Sequence, residues 1–195
     1  MEHGADSLDN AEILEYFLSF SIESQNLKDS ASLLLSEFGS LGGVLSADPR
    51  RLLDTMTAIC PCTAKDTHRS IRLTTGLLKV VKECIGRILI ERIEDRPVIG
   101  SWTALNDYLK VALVHEPVEQ FHVLFLDRKN ILIKDEPQQR GTVDHIPLYP
   151  REITRRALEL QASAIILVHN HPSGDPTPSR ADIEITKQVL QALGP

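Results

Sequence analysis

A short apolar run that leads directly into two histidines constrains this chain more than any other feature. Ala164–Val168 is rich in β-branched residues and predicts a fully buried β-strand. His169 and His171 come directly after it, and residues at this spacing in extended backbone point to the same side. Both imidazoles are therefore expected to reach one metal ion.

The residues after these histidines extend the candidate site. Thr177 and Pro178 are typical of the N-cap and first position of a helix, which predicts that a helix begins there. Ser179 and Asp182 are then expected to lie three residues apart on one face of that helix. Asp182 is thereby predicted as the third metal ligand, and Ser179 as a hydrogen-bonding group for a metal-bound water or a developing oxyanion.

Together these residues predict a metal site with three protein ligands, namely His169, His171 and Asp182. A set of three leaves a fourth position open, which is typical of catalytic rather than structural zinc. Two histidines at this spacing are alone more often packing or surface residues. The serine and aspartate at set offsets, after a strand and at the start of a helix, favour the metal site.

This pattern, H-x-H-x7-S-x2-D, resembles that of the JAMM (MPN+) zinc metalloproteases. The segment HNHPSGDPTPSRAD is similar to the form found in bacterial RadC proteins. The resemblance extends through residues 121–130, 141–143 and 150–153, with Tyr149 where a histidine is often found. It covers most of the second half of the chain and is weaker in the first half.

The resemblance implies a fold, a cofactor and a reaction. The fold is an MPN/JAMM-like α/β sandwich, the cofactor is Zn²⁺, and the reaction is hydrolysis of an amide or isopeptide bond in a peptide or protein substrate. A glutamate of the family acts as general base on the attacking water. The matching residue is Glu119, just before the predicted strand Phe121–Asp127, with Glu116 as the alternative.

The chain is predicted to divide after residue 96, where a charged stretch ends at Pro97. Residues 1–96 show helical spacing of apolar residues throughout, which predicts a small all-helical domain. Residues 97–195 alternate strands with helices, which is typical of an α/β sandwich. RadC-like proteins normally continue with a further strand, so the resemblance implies an MPN domain truncated at its C-terminus.

A second hypothesis assigns the chain to DNA repair as a non-catalytic accessory protein. The helical half resembles the helix-hairpin-helix-like region of RadC proteins, through Leu34–Leu41 and Leu52–Ile59. The glycine turn of such hairpins is replaced here by residues 59–63, and Pro61 lacks an N–H for a phosphate. Residues 1–97 hold 11 lysines and arginines against 15 aspartates and glutamates, which disfavours nucleic acid as a partner.

Composition limits the remaining classes of protein. Apolar residues make up 42% and charged residues 25%, which is typical of a globular protein with one or two domains. No apolar run is long enough for a membrane span, and the first residues do not resemble a secretory signal. We therefore expect a cytoplasmic protein without membrane contact, in which three cysteines do not form a disulfide framework. His122 is expected to face solvent and His145 to approach the catalytic cleft.

Overall fold

The computed structural model describes residues 7–20, 26–59, 65–93, 97–140 and 148–194. The chain forms two compact units, Met1–Ile85 and Gly86–Pro195, and the division falls inside one long helix, Lys65–Glu91. The predicted domain boundary at residue 96 adjoins the undescribed residues 94–96 and stays a prediction. His145 also lies outside the described residues.

The first unit is helical because its apolar residues recur every three or four positions, so that each helix buries one face. Its helices are α1 (Asn10–Ser19), α2 (Leu27–Phe38), α3 (Leu41–Ser46), α4 (Pro49–Ile59) and the greater part of α5 (Lys65–Glu91). Helix α2 ends at Gly39, whose φ of 78° lies in the left-handed region that glycine adopts without strain. The buried side chains form one core that includes Leu14, Leu18, Leu34, Val44, Leu52, Met56, Ile71 and Leu78.

The turn on which the DNA-binding hypothesis depends, residues 59–63, lies outside the described residues apart from Ile59, and that hypothesis stays a prediction. Within the described ranges, each helix falls short of either the length or the apolar character that a membrane span requires.

The second unit is built around a three-stranded antiparallel sheet of the described residues. The strands are β1 (Gln120–Leu126), β2 (Leu132–Arg140) and β3 (Ala164–His169), in the spatial order β2-β1-β3. A tight turn joins β1 to β2, with the Asp127 carboxylate accepting hydrogen bonds from the backbone N–H groups of Lys129 and Ile131. Strand β1 is buried along its whole length because it has a neighbour on each side.

Helices cover both faces of this sheet. Successive side chains of β1 point to opposite faces and all of them are buried, so each face has a covering layer. Phe121, Val123 and Phe125 pack in a core with residues of α7 (Pro150–Glu159) and α8 (Arg180–Leu193). Leu124 and Leu126 point the other way, into a second core with residues of α6 (Trp102–Leu109). The predicted α/β fold preceded by a helical region is therefore confirmed.

Two expectations about burial in this sheet are wrong. Strand β3 was expected to be fully buried, but Ala164 is exposed and the other residues are half-buried, because β3 lies at the edge of the described sheet. His122 was expected to face solvent, but it is only 8% exposed. Its Nδ1 lies 2.9 Å from Oδ1 of Asp135, and Oδ2 of that carboxylate accepts a hydrogen bond from Tyr108.

Candidate metal centre

The two histidines are positioned by the end of β3 and its pairing with β1. His169 is the last residue of β3 and lies opposite Phe121, whose ring stacks on the imidazole with a centroid separation of 5.6 Å. His171 follows two residues later, and the two Nε2 atoms approach to 2.8 Å. The same-side orientation predicted from their spacing is what the structure shows.

The backbone after β3 orients the ring of His171. Its Nδ1 lies within hydrogen-bonding distance of the carbonyl oxygen of Asp175, four residues further along the loop. An imidazole that donates from Nδ1 to a carbonyl keeps its Nε2 lone pair for a metal ion. The ring of His171 is therefore held in an orientation that suits metal binding through Nε2.

Asp182 reaches the histidines from the first turn of α8. The helix begins at Arg180 with Ser179 as its N-cap, so the predicted start at Thr177 and Pro178 is wrong. Ser179 and Asp182 form a capping box, in which each side chain accepts a hydrogen bond from the other residue's backbone N–H. This cap satisfies two N–H groups at once and holds the Asp182 carboxylate at the start of the helix.

Oδ2 of Asp182 lies 3.5 Å from Nε2 of His169 and 3.6 Å from Nε2 of His171. A tetrahedral zinc ion with bonds of about 2.0–2.1 Å separates its ligand atoms by about 3.3 Å. The two separations that involve Asp182 lie close to this value, and the 2.8 Å between the two Nε2 atoms is about 0.5 Å shorter. The nitrogen and oxygen donors, their spacing and the orientation of His171 all fit a bound Zn²⁺.

Glu119 joins His169, His171 and Asp182 to form a group of four possible metal-binding side chains. It precedes β1, and continuing the register in which Phe121 faces His169 brings Glu119 opposite His171. Single ligand atoms from the carboxylates of Glu119 and Asp182 and from the two imidazoles all lie within 4.8 Å of one another. All four residues are partly buried. The structure thus brings together the carboxylate of the residue that precedes β1 with the three residues of the motif.

Hydrogen bonding and charge keep Asp182 ionised. Burial alone would raise the pKa of its carboxyl group, but the hydrogen bonds from Ser179 and the neighbouring imidazoles outweigh burial and hold the pKa below its usual value. Asp175 in the adjoining loop also has a lowered pKa, because its carboxylate accepts hydrogen bonds from Thr177. A carboxylate that stays ionised is the form required of a metal ligand.

The other predicted residues occupy different environments. Glu116, the alternative to Glu119, is buried and outside the group, where its Oε2 accepts a hydrogen bond from Gln120 at 2.5 Å. Ser179 is exposed and adjoins the group through its cap on Asp182. The catalytic roles of Glu119 and Ser179 stay predictions.

Asn170, between the two histidines, is a residue that the sequence interpretation missed. Its side-chain carbonyl accepts a hydrogen bond from the backbone N–H of Gln120 at 2.8 Å, and its amide donates to the carbonyls of Glu116 and Val118. Asn170 therefore ties the histidine loop to the segment that carries Glu119. No local pattern points to this role, because all three partners lie about fifty residues away.

Replacing Asn170 with alanine should lower the free energy of unfolding by about 1–3 kcal/mol, since it leaves partly buried backbone groups without partners. Urea denaturation monitored by circular dichroism measures this loss. Asn106→Ala is the matched control, because the Asn106 side chain makes no hydrogen bond to another described residue. Equal effects of the two substitutions would contradict the anchoring role of Asn170.

Comparison with known proteins places these features in a family context. A family model for the RadC-like JAB domain matches residues 99–195, which include all four residues of the group. A UPF0758 protein of Rhodobacter capsulatus is 50% identical over 189 residues, covering 97% of this chain and 83% of the relative. Another, from Ruegeria pomeroyi, is 47% identical over 192 residues, covering 98% of this chain and 80% of the relative.

Proposed function

We propose that this chain, which belongs to the RadC family, is a zinc-dependent metallopeptidase that hydrolyses amide or isopeptide bonds in a peptide or protein substrate. The observation that carries the proposal is the convergence of Glu119, His169, His171 and Asp182 to within 4.8 Å. Two imidazoles and one carboxylate from residues 169–182 meet a second carboxylate, from the residue that precedes β1, at this point.

In the proposed site, three members of the group bind the metal ion and the fourth acts as the general base. His169, His171 and Asp182 hold Zn²⁺, since they supply the two nitrogens and the oxygen whose separations fit that ion. When bound, Zn²⁺ polarises the substrate carbonyl and lowers the pKa of water to about 7. Glu119 then remains free for proton transfer, because zinc in catalytic sites usually takes three protein ligands.

Glu119 acts as general base and then as general acid. Its carboxylate accepts a proton from the attacking water as the water oxygen bonds to the carbonyl carbon. The same carboxyl group delivers that proton to the amide nitrogen when the C–N bond breaks, so the leaving group departs as a neutral amine. Ser179 adjoins the site at the N-terminus of α8, where a hydrogen-bond donor stabilises the oxyanion of the tetrahedral intermediate.

Metal content together with peptidase activity tests this function. Full-length protein freed of adventitious metal and dialysed against buffer with micromolar Zn²⁺ is expected to hold one zinc per chain by elemental analysis. The loaded protein should cleave members of a library of quenched fluorescent peptides and isopeptides, and a chelator should stop cleavage. Zinc well below one per chain, or full zinc without cleavage of any library member, would contradict the proposal.

A further inference from the structure

A cleft of about 430 Å³ lies beside the candidate metal centre, and His169 and His171 form part of its lining. The end of α6 and the single π-helical turn that continues it, Lys110–Val114, form a second part of the lining. Such a turn, with hydrogen bonds one residue longer than in an α-helix, is frequent at functional sites. The volume is in the range typical of ligand-binding sites.

The helical wall of the cleft is largely apolar. It carries Leu109, Leu113 and Val114, and Val168 of β3 adds to the apolar lining. Leu113 is only 3% exposed and belongs to the folded interior, whereas Val114 is 60% exposed. An apolar surface that continues from buried to exposed residues next to a candidate catalytic group suits an apolar side chain of a substrate.

Two polar side chains on the same helical face have no partner among the described residues. Asn106 and Lys110 are four positions apart, so they project from successive turns toward the same side. Lys110 is exposed at the rim. Besides Lys110 and the two histidines, the lining contains one titratable side chain, that of Asp175. Its carboxylate already accepts a hydrogen bond from Thr177. Lys110 is therefore the lining charge that is free to pair with a ligand.

We propose that this cleft binds an extended peptide segment in which an apolar residue beside the scissile amide is followed by an acidic residue. The apolar side chain lies against Leu109, Val114 and Val168, and the acidic side chain pairs with Lys110. This inference rests on the proposed function, which supplies the scissile amide, and it names the substrate class.

The structure favours a side-chain carboxylate over the free C-terminus of a peptide as the group that pairs with Lys110. Proteins usually capture a terminal carboxylate with a cluster of backbone N–H groups or with the planar fork of an arginine. The described lining holds no arginine, and its one free cation is a flexible lysine at an exposed rim. A lysine of this kind suits an acidic side chain that approaches from solvent.

Binding of labelled peptides, measured by fluorescence anisotropy, tests the inference. The Glu119→Gln variant is used with Zn²⁺ to prevent cleavage, and wild-type protein is used without metal. Three peptides carry a C-terminal amide and differ in one pair of residues, which is Leu-Glu, Leu-Gln or Ser-Glu. A fourth is the Leu-Gln peptide with a free C-terminus. We expect Leu-Glu to bind about two- to fivefold more tightly than Leu-Gln and about five- to tenfold more tightly than Ser-Glu.

A reversal of charge identifies the partner of the acidic residue. Lys110→Glu should weaken binding of the Leu-Glu peptide and strengthen binding of a Leu-Lys peptide, so that the order of preference is inverted. Lys129→Glu makes the same change of charge at an exposed turn outside the cleft and should leave the preference unchanged. Because Lys110 is exposed, neither substitution disturbs the core.

Three outcomes would overturn the inference. One is equal binding of Leu-Glu and Leu-Gln peptides, and another is an equal response of the Lys110 and Lys129 variants. The third is a gain in affinity from a free C-terminus but none from the acidic side chain, which would assign the lysine to a terminal carboxylate. Because the peptides are scored with and without Zn²⁺, the result is separate from zinc content, which tests the proposed function.

Discussion

Replacing His171 with alanine should abolish stoichiometric zinc binding while the protein stays folded. The substitution removes one of the three ligand atoms proposed here, leaving Nε2 of His169 and Oδ2 of Asp182, which lie 3.5 Å apart. Changing a group that merely orients a ligand already costs about 10–100-fold in metal affinity, so loss of a ligand should cost at least about 100-fold. Elemental analysis and competition with a chromogenic chelator measure the change.

His115→Ala is the matched control for this experiment. His115 is exposed, lies in the same unit and is outside the group. It should retain one zinc per chain with an affinity close to that of the wild type. Thermal unfolding of both variants without metal checks that neither substitution damages the fold. A His171 variant that binds zinc as tightly as the His115 variant would show that the ion is held elsewhere.

Replacing Glu119 with glutamine should reduce the rate of peptide cleavage by about 100- to 10,000-fold and leave zinc bound. Glutamine is nearly the same size as glutamate but cannot accept and return a proton, and general acid–base catalysis contributes about this much to the rate. The measurement is kcat/KM on a peptide found by the library screen, together with zinc content of the same sample.

Glu116→Gln provides the comparison, because Glu116 was the alternative candidate for the base. Its carboxylate lies outside the group and accepts a hydrogen bond from Gln120, so the substitution should affect stability more than catalysis. Loss of cleavage in the Glu116 variant alone would reverse the assignment of the base. Loss of zinc in the Glu119 variant would instead identify Glu119 as a ligand.

The local part of the candidate site could be predicted because its residues are close in the chain. His169 and His171 are two residues apart at the end of a strand, and the period of extended backbone alone places them on one side. Helical spacing of apolar residues likewise predicted the helical first half and the helices of the second half, and short apolar runs predicted its strands. Local spacing was insufficient at the start of α8, where the capping box begins the helix at Arg180 rather than near Thr177.

Burial could not be predicted locally, since it depends on what packs against each residue. The same kind of apolar run is buried along β1, which has neighbours on both sides, and only half-buried in β3 at the sheet edge. His122 was expected to face solvent, yet it is buried beside Asp135, whose carboxylate also accepts a hydrogen bond from Tyr108 of α6. Such contacts join residues that no short window of sequence contains.

The order of residues along the chain by itself determined which side chains are available for a metal ion, because His169, His171 and Asp182 share one strand, loop and helix. Tertiary structure alone decided that Glu119 rather than Glu116 joins them, since antiparallel pairing of β1 with β3 brings together residues fifty positions apart. It also decided that Asn170 links the two segments and that Lys110 lines the adjoining cleft. The physical reason is that periodicity constrains neighbours in the chain, whereas strand pairing and helix packing select neighbours in space.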